Sequence, residues 1–280
     1  MTRTASTRYS FFGSNDGTRL SAETRALRLV AVTALTVVTV SAASVFFSLK
    51  RRFNALFPLL GYNTTIMDYK RLTEEEFTLG YPPEKIFITS DLHLFHTNII
   101  KYCGRSFACS PKGCAEMTEF LLKKFDALPD DCLIWNFGDV YLNAKMERSK
   151  IMNAVMRMKR NRKMNLILGN HDFMNDKRPF KTFIEFYTSL GFDNVYKGPL
   201  LFGDYVLSHE PVFLDKKSAC ANIHGHTHQA FVTENYFLND WNKSFPKRKV
   251  DPSRYKNVCM DANGFELLRL SDVMEIKAQL

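Results

Sequence analysis

The chain has 280 residues, enough for one full-sized domain or one domain with a small appendage. Hydrophobic residues make up 45% of it, an ordinary share for a protein that buries a core, so a wholly disordered chain is excluded. Of the net charge of +9, residues 1–52 carry +6, from eight basic and two acidic residues; this points to targeting or membrane contact more than to a nucleic-acid groove.

Residues 1–28 are rich in Ser, Thr, Arg and Gly without apolar periodicity and read as a disordered tail. Leu29 to Leu49 then run without a charge, bounded by Arg28 and by Lys50-Arg51-Arg52. That length suits a single bilayer-spanning hydrophobic helix. Six Ser/Thr inside the run keep a buried core helix in play, and the Arg-rich, acid-poor tail also fits a mitochondrial presequence. Residues 50–83 read as a connector that ends at Tyr81-Pro82-Pro83, and 84–280 as the folded domain. The six cysteines show no CxxC pair and read as free thiols, Cys132 and Cys259 buried among apolar residues. For the single-pass membrane protein that 29–49 suggests, free thiols favour a domain facing the cytosol or another reducing compartment.

From residue 85 the pattern alternates. Short apolar strands are predicted at 85–90, 132–137, 165–168, 205–208, 221–223 and 258–260, and helices at 117–128, 145–158, 179–190 and from Ser271. Strands alternating with helices predict a layered α/β domain. Five of these strands run into Asp91, Asp139, Asn170, His209 and His226. In open α/β sheets, ligands collect beyond the carboxyl ends of strands. All seven histidines (93, 96, 171, 209, 224, 226 and 228) lie at or near such ends. Imidazole and carboxylate together describe a mixed N/O site for first-row divalent ions, and Asp91, His93, Asp139, Asn170, His209, His226 and His228 are too many ligands for one ion. A carboxylate bridges two ions readily, and Asp139 is placed for that role.

The ordered pieces Asp91-x-His93, Gly138-Asp139, Gly169-Asn170-His171-Asp172, His209 and Gly225-His226-Thr227-His228 resemble the calcineurin-like metallophosphoesterase family. Residues 91–107 and Ser208-His209-Glu210-Pro211 are similar to its small, capless bacterial and phage members. The resemblance implies a four-layer fold of two packed β-sheets flanked by helices. It implies that Asp91, His93 and His228 hold one divalent ion (Mn, Fe or Zn), that Asn170, His209 and His226 hold a second, and that Asp139 bridges. A metal-bridging hydroxide would attack a phosphomonoester or phosphodiester, with His171 as general acid oriented by Asp172. One departure is Gly138-Asp139-Val140-Tyr141-Leu142, where many members carry Asp or Arg at the last position.

His96 and Arg105 are candidates for binding substrate phosphate, each weighed against a structural role; guanidinium grips phosphate oxygens well. His224 reads as a residue behind the ligands. The basic run 157–163 reads as a solvated helix end more than as a nucleic-acid patch. The insertion 230–253, with Tyr236, Phe237, Trp241 and Phe245, reads as a lid or a membrane-facing flap. Two further functions compete with the phosphoesterase: a nuclease acting on nucleic acid, and a metal-binding scaffold without catalysis.

Overall fold

A computed structural model describes residues 69–142, 147–172, 180–214, 220–237 and 249–274. The expected tail and the uncharged run 29–49 lie outside the described residues, among which no helix is long and apolar enough to cross a membrane. The chain divides into two units, 1–64 and 65–280, and every described residue belongs to the second.

Two five-stranded sheets build that unit. In the first, β2 (Ile86–Thr89), β3 (Leu133–Asn136), β4 (Lys163–Ile167) and β5 (Asn194–Tyr196) run parallel, and β10 (Leu268–Arg269) is antiparallel to β2. In the second, β7 (Tyr205–Ser208), β8 (Ala221–His224) and β9 (Tyr255–Asn257) run parallel. There β6 (Leu200–Phe202) is antiparallel to β7, and β1 (Lys70–Leu72) pairs with β6.

Side chains alternate across each strand, so β2 sends Ile86 and Ile88 to one face and Phe87 to the other. The inner face packs Ile86, Ile88, Leu133 and Trp135 against Leu200, Leu207 and Ile223 of the second sheet. The outer face of the first sheet is covered by helices. These are α2 (Thr97–Tyr102), α3 (Pro111–Asp126), α4 (Arg148–Lys159) and α5 (Phe180–Leu190), which supply Ile99, Met117, Leu121, Val155, Met158 and Tyr187. Burial on both faces is why β2 and β3 read as unbroken apolar runs. On the outer face of the second sheet, Leu201 and Val206 pack against Leu214 and Val212 of a loop. Among the described residues, then, helices flank one sheet and a loop covers the other.

Three details differ from the sequence expectations. Helix α3 starts at Pro111 rather than Met117, because Ser110 caps it, its Oγ accepting from the Gly113 amide at 3.1 Å. The last predicted strand moves from 258–260 to β9 at 255–257, with Cys259 making only an isolated bridge to Ser90. The segment expected as a connector carries β1 and helix α1 (Glu74–Thr78), and α1 buries Phe77 between the sheets. The Phe77 carbonyl also accepts the buried indole N–H of Trp135 at 3.0 Å. Phe77→Ala would cost about 3–5 kcal/mol, the usual range for emptying an aromatic core position.

Candidate metal centre

The carboxyl ends of β2, β3 and β4 in one sheet and of β7 and β8 in the other open on the same edge. The residues that follow them converge there. Asp91, His93, Asp139, His226 and His228 all have positive φ, between 48° and 67°. For a residue with a Cβ this region is costly, on the order of 1–3 kcal/mol each. Glycine would sit there freely but has no side chain to offer. The strain is the cost of aiming these polar side chains at one place from tight turns.

Two groups form. In the first, Asp91 Oδ1 lies 3.7 Å from His93 Nε2 and 3.8 Å from His228 Nε2. In the second, Asn170 Oδ1 lies 2.9 Å from both His209 Nε2 and His226 Nδ1. Asp139 Oδ2 stands between the groups, 3.6 Å from His93 Nε2 and 3.4 Å from His209 Nε2. The seven expected ligands are thus brought together.

The remaining oxygens of the two aspartates are engaged by protein. Asp91 Oδ2 accepts from the His226 amide at 2.8 Å, from Cys259 Sγ at 3.0 Å and from Ser90 Oγ. Asp139 Oδ1 accepts the His171 amide at 2.9 Å. Each carboxylate is therefore tied down by one oxygen and presents the other. Glycines allow the loops to meet. A Cβ on Gly169 would lie 2.2 Å from Asp139 Oδ1, and one on Gly225 would lie 2.6 Å from Asp91 Oδ2.

The atoms left without partners test whether ions fit. Among the described residues, seven buried side-chain N or O atoms have no hydrogen bond, and five of them are at this edge: Asp91 Oδ1, both His93 nitrogens, His96 Nδ1 and His171 Nδ1. Buried polar groups are rarely left so. Cations among these acceptors would satisfy the inward-facing ones. Electrostatics agrees. Burial opposes the charge of Asp91, yet the neighbouring His209, His93 and His228 hold its carboxyl well below the usual range. Burial pulls His209 down, but Asp91 and Asp139 lift it to about 9. Burial likewise opposes charge on His228, but its bond to Asp261 above all lifts it to about 10.

Other expectations need correction. The Arg105 guanidinium is fully buried and donates only to protein: to both oxygens of Asp261 at 2.8 Å and to the carbonyls of Asp91 and Leu92 at 2.9 Å. It is not free to bind a substrate phosphate. Asp172 does not orient the His171 ring. Its carboxylate accepts the backbone amides of Gly169 at 2.7 Å, Asp139 at 2.9 Å and Val140 at 3.3 Å, and the Tyr187 hydroxyl at 2.7 Å. Burial and the charge of Asp139 raise its pKa to about 6. His96 does lie beside the site, its ring 5.7 Å from that of His93, and burial with the nearby His93 pushes its pKa down to about 4.

His224 is buried behind the ligands, against Tyr255. The basic run is consumed by structure. Arg157 pairs with Glu119 and Asp126, Lys159 and Lys163 with Asp193, and buried Arg162 donates to the carbonyls of Leu128, Pro129 and Met158. In the insertion, the Tyr236 ring lies 6.5 Å from that of His226, while Trp241 and Phe245 fall outside the described residues. Sequence reasoning missed Asp261, whose Oδ2 lies 2.7 Å from His228 Nδ1. The signal was an acid in the polar turn after a late strand, with no histidine or cysteine motif to mark it.

Comparison with known proteins adds a family. The model of the calcineurin-like phosphoesterase family matches residues 84–258. An uncharacterized protein of Methanocaldococcus jannaschii is 31% identical over 189 residues, covering 63% of this chain and 88% of that protein. Among solved structures, a protein of unknown function from Aquifex aeolicus aligns with a TM-score of 0.43 at 18% identity, over 68% of this chain and 98% of its own. The nuclease MPE of Pseudomonas putida aligns with a TM-score of 0.34 at 21% identity, over 52% and 63%.

Proposed function

Because this chain belongs to the calcineurin-like phosphoesterase family, whose members are metal-dependent hydrolases of ester bonds, we propose that it cleaves a phosphoester with two divalent ions held side by side. Asp91, His93 and His228 would hold the first ion, and Asn170, His209 and His226 the second. Asp139, whose Oδ2 faces both groups, would serve both. The observation that carries this reading is the position of that oxygen, within 3.6 Å of a nitrogen in each group while its twin is bound to the His171 amide. The mixed nitrogen and oxygen donors suit Mn, Fe or Zn. Ions bound there supply a water of lowered pKa and a clamp on the phosphoryl oxygens.

The chain's own residues do the rest. His171 lies over the centre, its ring 5.3 Å from that of His93 and its edge partly open to solvent. Its backbone amide is pinned to Asp139 Oδ1, which holds its main chain beside that carboxylate. It gives a proton to the leaving oxygen. His96, on the same rim with Nδ1 unpartnered, contacts the substrate.

The test is hydrolysis by the full chain, with added Mn²⁺, of bis-p-nitrophenyl phosphate and p-nitrophenyl phosphate, and its arrest by EDTA. Cleavage of either supports the reading, and their ratio separates diesterase from monoesterase. Uptake of two metals with cleavage of neither would favour a scaffold. Nucleotides, phosphoproteins and single-stranded nucleic acid then rank the natural substrate.

A further inference from the structure

We infer that Asp261 and Arg105 are positioning residues that fix His228 for the first ion, an inference that rests on the two-ion reading above. Asp261 lies in the short turn Met260–Asn263 that follows β9. Its Oδ2 meets His228 Nδ1 at 2.7 Å. With an ion in place, that contact would keep the ring proton on Nδ1 and leave the Nε2 lone pair on the side of Asp91 Oδ1, 3.8 Å away. A carboxylate behind a ligating imidazole sets both its tautomer and its ring orientation.

Arg105 holds the carboxylate in turn. Its Nε and Nη2 donate to the two oxygens of Asp261, each at 2.8 Å, in the forked geometry that guanidinium matches best. The same guanidinium donates from Nη1 to the Leu92 carbonyl and from Nη2 to the Asp91 carbonyl, both at 2.9 Å. One buried cation therefore grips two ligands of the first group, His228 through Asp261 and Asp91 through its backbone. Both ligands sit at positive φ, where a turn needs outside support. In the second group His209 Nδ1 rests instead on a backbone carbonyl, that of Phe137, at 2.7 Å.

Cys103 Sγ also lies within 4.8 Å of ligand atoms of His228 and Asp261, which raises a competing site of Cys, His and Asp. The Asp261 oxygens are already taken by Arg105 and His228, so the cluster supports the first ion instead of holding one of its own.

The test is Co²⁺ titration of the chelator-stripped full chain, followed by visible absorption. Wild type takes up two ions. Asp261→Asn loosens one of them by roughly 10–100-fold and leaves the other unchanged. Arg105→Lys, which keeps the charge but loses the fork, loosens the same ion and decides the matter if Asp261→Asn does not fold. In the double variant with His228→Ala, Asp261→Asn adds nothing, because its effect runs through that imidazole; a merely structural role would add. Wild-type affinities in both single variants, or an additive double variant, would overturn the inference. So would loss of an ion in Cys103→Ser, which would make the thiol a ligand. A wild-type chain that takes up fewer than two Co²⁺ fails at the two-ion reading itself, and the inference falls with it.

Discussion

Tyr187, on helix α5, donates a 2.7 Å hydrogen bond to Asp172 Oδ1, and both side chains are buried. The helix layer thereby reaches through Asp172 to the amides of Gly169, Asp139 and Val140. A hydrogen bond to a charged group is worth about 1.5–3 kcal/mol net. Tyr187→Phe is expected to lower unfolding free energy by that amount in urea titration and to reduce turnover modestly. Unchanged stability would show that the hydroxyl does not support the loop.

His171→Ala is expected to retain both metals and to lose about 10²–10⁴-fold in turnover, the range for general acid–base catalysis. Its backbone bond to Asp139 survives the substitution, so metal content by elemental analysis should match wild type. Normal turnover would remove His171 from the chemistry.

Asp139→Asn removes the charge that faces both groups. Elemental analysis should show both ions weakened together, whereas Asp91→Asn and His226→Ala should each weaken one more than the other. Loss of only one ion in Asp139→Asn would refute a shared ligand.

The metal-free protein should depend on pH in a specific sense. His209 and His228 are lifted to about 9 and about 10, above the ordinary imidazole value. A folded-state pKa above the unfolded one contributes stability that is complete below about 6.5 and is lost as pH rises through 9 and 10. In EDTA, therefore, the melting temperature should fall between pH 6.5 and 10, and metal uptake near pH 7 should release protons, seen as a buffer-dependent heat in calorimetry. A flat melting profile above pH 6.5 would contradict it.

The candidate ligands were legible because they are polar residues just beyond apolar strands, and the strands were legible because they are buried on both faces. What failed was direction. Arg105 and Asp172 carry charges suited to phosphate or to histidine, but charge does not say whether a side chain turns outward to substrate or back to the main chain. Here buried carbonyls and amides claimed them. Strands β1, β5, β6 and β10 have two or three residues, too few for any periodicity to show. The start of α3 was written in Ser110-Pro111, a capping signal, while the apolar spacing alone suggested a later onset.

Each group draws on both sheets: Asp91 and His93 follow β2 while His228 follows β8, and Asp139 and Asn170 follow β3 and β4 while His209 and His226 follow β7 and β8. An ion in either place would rivet the mouth of the sandwich, adding to the apolar packing and to bonds such as that from the His226 amide to Asp91 Oδ2 that already join the two layers. Since only the native chain offers these ligands together, an ion at a hundred times its dissociation constant adds about 2.7 kcal/mol against unfolding. The supply of metal in the cell would then govern the lifetime of the protein as well as its activity, with starved copies the first to be opened and degraded.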